Sequence, residues 1–255
     1  MQMCLAPAAS AYVLSVAIDD EDNRPYEYAD DQGHLTGYHV ELVREVSQKL
    51  GWSSEIHAVP WNRAQAMLAR GETTAVTYLA KTPERDKYAI FLPGNVLHAM
   101  DIALYASRDR LAEIRYRPPF ADMVQHWHFG FTQGYAYSEE IDAALHSSTN
   151  AENVVVTQPQ LLSMLALRRV DVAVVMDSDA AVDQARRSVP DIETLIAPIE
   201  GGRFPGASVY VAFTRIGDGP ERAAAFSQEY ARWRASPAYG LLKAQFHLAP
   251  SAFSE

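Results

Sequence analysis

The sequence predicts an α/β protein of two lobes, and three observations carry that prediction. Strand-like and helix-like segments alternate from Tyr12 onward, and helical connections between strands imply parallel sheets. The alternation runs twice, once before and once after residue 105, which implies two α/β lobes. Glycines stand where the first helices should stop, Gly51 and Gly71, as left-handed C-terminal residues require.

The elements follow in order. Residues 12–18 (YVLSVAI) alternate well enough for a strand, and 19–23 form an acidic loop. Tyr26-Glu27-Tyr28 followed by Asp30-Asp31-Gln32-Gly33 reads as a hairpin with its turn chemistry supplied. Val40, Val43, Val46 and Leu50 recur at helical spacing, and Leu42 widens the stripe. A strand at 55–59, a short helix marked by Ala64, Met67 and Leu68, and a strand at 75–79 come next. Thr82-Pro83-Glu84-Arg85 opens a turn or a helix. The second set starts with a strand at 99–105, a proline-stiffened connector at 115–120 and a strand at 128–132 ending at Gln133-Gly134. Ser138 begins a helix whose Glu139, Glu140 and Asp142 complement the helix dipole. Strands at 154–156, 172–176 and 209–213 and helices at 159–168 and 180–187 follow. Two closing helices end the chain, the first with Ala223, Phe226, Tyr230 and Trp233 on one face.

Composition narrows the function classes. The chain has 255 residues, 48% hydrophobic and 21% charged, which excludes a disordered or collagen-like chain. No stretch approaches the roughly 18 apolar residues of a membrane span. The net charge of −10 argues against a duplex-binding domain, since phosphate affinity comes from clustered Lys and Arg. The single cysteine, Cys4, lies in MQMCLAPAASA, whose Ala9-Ser10-Ala11 fits the small-residue pattern of signal-peptide cleavage. Residues 1–11 read as the tail of an export signal or as a frayed terminus. Cleavage before Tyr12 leaves no thiol for catalysis or for a metal.

Several short motifs carry a family likeness. They are Pro25-Tyr26-Glu27-Tyr28, then Gly33-His34-Leu35-Thr36-Gly37-Tyr38-His39-Val40-Glu41-Leu42, Leu50-Gly51, Pro60-Trp61 and Met67-Leu68-Ala69-Arg70-Gly71. Thr82-Pro83-Glu84-Arg85 precedes Phe91 and Pro93, and the second lobe holds Gly130-Phe131-Thr132-Gln133-Gly134 and Arg169-Val170-Asp171-Val172-Ala173. Each alone is weak. In this order and spacing they resemble the periplasmic solute-binding proteins of polar amino-acid ABC transporters, extracellular solute-binding family 3. The resemblance covers Tyr12 to about Leu248 and implies the type II periplasmic binding protein fold, the "Venus flytrap". Each lobe is then a mixed, mostly parallel sheet flanked by helices, with two hinge crossovers. The expected division is 12–104 plus 209–255 for the first lobe and 105–208 for the second.

The candidate site follows from both sources. Arg85 comes just after a parallel strand, where open α/β sheets place ligands, and a guanidinium clamps a carboxylate with two parallel N–H bonds. The resemblance gives Arg85 the α-carboxylate of a bound amino acid; the alternative is a surface ion pair with Glu84 or Asp86. Trp61 stacks on the ligand or packs in the core, Arg63 adds charge at the mouth or caps a helix, and Tyr26 is a wall or core. The turn Gln133-Gly134-Tyr135 offers backbone N–H groups at a helix start as an anion site, opposed by Glu139 and Glu140 unless these point outward.

Departures from the family pattern bear on the ligand. Asn23 replaces an aromatic, Tyr78 a glycine, and Ala80 the Ser/Thr that helps hold the carboxylate. The acid for the α-ammonium falls at Met176, with Asp177 one residue late and so facing the other side of a continuing strand. A carboxylate-bearing solute other than a standard amino acid fits these changes equally. His126 and His128 lie at i, i+2 on one strand face but lack a third ligand at metal spacing. The expected function is therefore that of a monomeric exported receptor, without cofactor, metal or nucleic acid. It would deliver a small carboxylate-bearing solute to an ABC-transporter permease in the membrane. An enzyme resembling the cyclohexadienyl or arogenate dehydratases, with Asp177, Glu139 or Lys81 as acid, and a sensor acting on a separate receptor are the alternatives.

Overall fold

The computed structural model describes residues 12–154, 157–176 and 178–248. The readings of residues 1–11 with Cys4, of Val155 and Val156, and of Asp177 lie outside the described residues. Chain order begins β1 (Val13–Asp19), β2 (Tyr28–Ala29), β3 (Leu35–Thr36), α1 (Tyr38–Lys49), β4 (Ser53–Val59), α2 (Trp61–Arg70) and β5 (Ala75–Ala80). A 3-10 turn at Arg85–Lys87 leads to β6 (Ala89–Ile90) and β7 (Val96–Ser107). Then come α3 (Phe120–His126), β8 (Phe129–Thr132), α4 (Glu139–Ser147), β9 (Ala151–Val154), α5 (Gln158–Ala166) and β10 (Val172–Met176). The last are α6 (Ser178–Ser188), α7 (Ile192–Leu195), β11 (Ile196–Thr214), α8 (Gly219–Arg234) and α9 (Pro237–Gln245). No helix among the described residues is long and apolar enough to cross a membrane.

The strands order as β4-β1-β5-β11-β7-β10-β8-β9, with β6 on β11. The pairs β1–β4, β1–β5, β8–β10 and β8–β9 are parallel, while β7 and β11 run antiparallel to their neighbours. Two long strands thus carry the chain between the lobes. β7 has 12 residues and pairs β11 near Val96–Ala99 in the first lobe and β10 over Ile102–Ala106 in the second. β11 is 19 residues long, far beyond the 209–213 expected. Its first half holds Pro198, Gly201, Gly202, Pro205 and Gly206, which read as breakers in a sequence. In the fold they sit at register shifts against β7, where bulges admit such residues.

Two short helices, α3 and α7, were not expected. Pro119 caps α3 from the end of the proline connector, so the stiff segment hid a helix start. The histidine pair is corrected with it. His126 ends α3, its Nδ1 2.6 Å from the Asp122 carbonyl, while His128 lies outside the helix with Nε2 3.3 Å from Glu152 Oε2. They share no strand face.

Helix α1 shows how the first lobe is fixed. Tyr38, Val40, Leu42, Val43 and Val46 are buried and join one core with Phe226, Tyr230 and Trp233 of α8. Its N-terminal end is set by Gly37, at φ +120°, where a Cβ would lie 2.2 Å from the Tyr26 carbonyl oxygen. Gly37→Ala is expected to cost about 2–4 kcal/mol of stability, from backbone strain plus the displaced Tyr26 segment. Chemical denaturation of the variant checks this.

Candidate functional site

Arg85 lies at the start of the 3-10 turn after β5 and is 7% exposed. Its guanidinium donates from Nε to Gln65 Oε1 at 3.1 Å, from Nη1 to the Ala80 carbonyl at 2.9 Å and from Nη2 to the Gly134 carbonyl at 2.6 Å. Burial lowers its pKa, opposed by Tyr88 and by the charge of Asp142. The surface ion-pair alternative is thereby set aside, since Asp86 pairs instead with Lys81 and Arg215.

Trp61 is the first residue of α2, and its Nε1 donates to the same Gly134 carbonyl at 3.1 Å. Gly134 itself has φ +78°, a left-handed conformation that favours glycine, and it lies against Asn62 of α2. It is the Gly134 carbonyl of this turn that faces Arg85. The turn is closed inward, with the Tyr135 N–H reaching the Thr132 carbonyl at 3.3 Å. Gln133 is exposed and faces the mouth. Glu139 and Glu140 are exposed at the start of α4, whereas Asp142 turns inward and accepts the Tyr137 N–H.

Between the lobes, Arg85, Trp61, Ala80 and Tyr78 face Tyr135 and Met176, with Asp19 and Met100 completing the wall. The space between them is small, about 20 Å³, and open on one side. A second compartment lies beyond Tyr78, between Asn23 and Tyr26 on one side and Gln158 and Pro159 on the other. A mouth of about 210 Å³ opens outside, bordered by Asp19, Asp20, Glu21, Trp61, Gln133 and Thr157. Arg63 is exposed and borders none of these spaces. Asp177 lies outside the described residues, while Met176 is buried in the wall and donates its N–H to Gln158 Oε1.

Tyr78 divides the cleft. It holds φ +61°, a left-handed backbone that is strained for a bulky side chain. Its ring lies 5.7 Å from that of Tyr26, which is stacked at 4.3 Å on His98. Beneath this wall is a buried polar chain: His39 Nδ1 is 2.9 Å from Glu27 Oε1, and His39 Nε2 is 3.2 Å from His98 Nδ1. Burial pushes the Glu27 carboxyl up to about 7, against the Thr77 hydroxyl and His98, which pull it down. Burial likewise raises Asp19 to about 7, reinforced by the charges of Glu27 and Asp20. Burial also raises Glu21 to about 7, reinforced by Asp19 and Asp20.

With this geometry in hand, the sequence profile of the bacterial extracellular solute-binding proteins, family 3, matches residues 14–187. The chain belongs to that family. Among curated proteins, none matches it. Several solved structures share the fold of this family 3 protein at low identity. A histidine kinase sensor domain with similarity to periplasmic binding proteins is 21% identical, with TM-score 0.72 over 94% of this chain and 99% of that one. A Salmonella typhimurium periplasmic binding protein of high arginine specificity is 14% identical, with TM-score 0.69 over 92% and 99%. An ancestral amino acid-binding protein, precursor of cyclohexadienyl dehydratase, is 18% identical, with TM-score 0.67 over 92% and 95%. The family 3 fold is the type II periplasmic binding protein architecture, as expected from the motifs.

Sequence reasoning missed Asp19 and Met100 in the wall, Gln65 behind Arg85, and the Glu27–His39–His98 chain. Asp19 was legible only as part of an acidic loop. Gln65 had a signal, since it lies one helical turn after Trp61 and so shares its face.

Proposed function

We propose that the chain is an exported receptor that captures a small carboxylate-bearing solute between its lobes and hands it to an ABC-transporter permease. Arg85 carries the reading. It is a buried cation after a strand end, donating across the cleft to an uncharged carbonyl, and a carboxylate is the stronger acceptor for it. The first lobe would move as one body against the second, bending where β7 passes from Ala99, opposite Ser208 of β11, to Ile102, where its pairing with β10 begins opposite Phe204. Met100, Met176, Ala80 and Trp61 would cover an apolar part of the solute.

A thermal-shift screen of amino acids, amines and small organic acids tests the proposal on protein refolded from denaturant to remove bound solute. At 100 times its Kd, a solute adds about 2.7 kcal/mol of stability. The expected result is stabilisation by a carboxylate-bearing compound that is recovered unchanged. Stabilisation only by compounds lacking an acid group would refute it. Asp19 favours a second reading, since a carboxyl held up to about 7 in a cleft is placed for proton donation. A chemically altered solute in the same experiment would make the protein an enzyme.

A further inference from the structure

The turn that meets Arg85 bonds the lobes directly to each other. We propose that the Gly134 carbonyl is a built-in latch, occupying the acceptor position at Arg85 so that the cleft closes on itself, and that a captured acid enters by displacing it. The inference rests on the carboxylate-capture reading for its second half only.

Two donors from separate elements of the first lobe, Arg85 Nη2 and Trp61 Nε1, converge on this one oxygen of the second lobe at 2.6 and 3.1 Å. The turn is shaped to bring it there, because its glycine holds the left-handed φ of +78°. A guanidinium takes a carboxylate with two parallel bonds along either its Nε–Nη2 or its Nη1–Nη2 edge. On Arg85 both edges share the nitrogen that carries the Gly134 oxygen, with Gln65 Oε1 on one and the Ala80 carbonyl on the other. The space beside Arg85 is small, about 20 Å³. An acid that takes the cleft-facing nitrogen therefore has to displace the Gly134 oxygen, and the exchange favours the solute, since a carboxylate brings a full negative charge to the guanidinium where the carbonyl brings only a dipole.

A latched state competes with solute. Apparent affinity falls by the fraction of molecules that are open, so weakening the latch should tighten binding and quicken association. Trp61→Phe removes one of the two donors and keeps an aromatic ring.

Small-angle scattering on refolded, solute-free protein tests the latch. Wild type is expected to scatter as the closed structure, and Trp61→Phe to show a larger radius of gyration at unchanged far-UV circular dichroism. Gly134→Ala, which strains the left-handed turn that carries the oxygen, should expand in the same way if Trp61→Phe does not fold. A solute-free wild type as expanded as a folded variant would overturn the proposal. So would a folded variant that stays as compact as wild type. This arm contains no solute, so its outcome is independent of carboxylate capture. In a second arm, the carboxylate that stabilises most in the thermal-shift screen should associate several-fold faster with Trp61→Phe than with wild type. Slower or equal association would refute the displacement step. A screen with no stabilising carboxylate would refute the capture reading and displacement with it, leaving the latch to the scattering.

Discussion

In Arg85→Ala, no carboxylate-bearing solute should raise the melting temperature, and affinity should fall by at least about 30-fold. That factor corresponds to the roughly 2 kcal/mol at the lower end of what truncating a buried, hydrogen-bonded charge pair costs. The reason lies in how the guanidinium is held. Gln65 and Ala80 fix its plane from the first lobe, leaving its cleft-facing nitrogen to meet whatever oxygen is there. Arg85→Lys should recover only part of the loss, because an ammonium lacks the planar fork that Gln65 and Ala80 hold in place. Basal stability should move less than ligand stabilisation. Removing a desolvated cation offsets the Ala80 and Gly134 carbonyls that lose a donor, and Trp61 still donates to Gly134. Calorimetric titration of both variants with the stabilising solute decides it; equal affinity in Arg85→Ala and wild type would end the clamp role.

The parts of this fold that the sequence made legible are those set by local pattern. The α1 stripe, the Gly51 and Gly71 stops, and the Ser138 cap, which accepts the Ile141 N–H, all depend on residues within a turn or two. Arg85 was legible because its turn is itself a local motif. The first half of β11 was not, because pairing with β7 across a bulged register overrides glycines and prolines that locally oppose a strand. Trp61 illustrates the same limit at the site. Its position after Pro60 placed it at the cleft, but its indole N–H meets a carbonyl 73 residues away, a partner that only the lobe arrangement supplies. His39 stood in the sequence only as one residue of a motif, and its link to Glu27 and His98 needed three elements brought together.

That buried chain should make the protein less stable as pH rises toward neutrality. Glu27 is fully buried, and burial raises its carboxyl from 4.5 to about 7. Asp19 and Glu21 are raised to about 7 beside it. Between the ordinary carboxyl range and 7, the folded protein holds protons that the unfolded chain has lost. Unfolding then releases protons, and stability falls with rising pH across that window. For Glu27 alone the effect is on the order of 3 kcal/mol, several degrees in melting temperature for a chain of this size. Glu27→Gln keeps the shape and a hydrogen-bonding oxygen for His39 while removing the ionisation. It should therefore flatten the profile between about pH 5 and 7.5, and relieving Asp19 of its neighbouring charge should flatten it further. His39→Leu is expected to cost about 3 kcal/mol, since it strips a partner from both Glu27 and His98 in a dry site. Its slope should steepen, because an unaccompanied carboxylate is harder to bury than one facing an imidazole. Scanning calorimetry from pH 4.5 to 8 separates the two charge states of the chain. A neutral trio loses stability from the ordinary carboxyl range upward, whereas a carboxylate–imidazolium pair would hold its stability level from about pH 5 to 6.5 and lose it only above the ordinary histidine range. A wild-type melting temperature that stays level from pH 5 to 6.5 would assign the ion pair and overturn the expected slope.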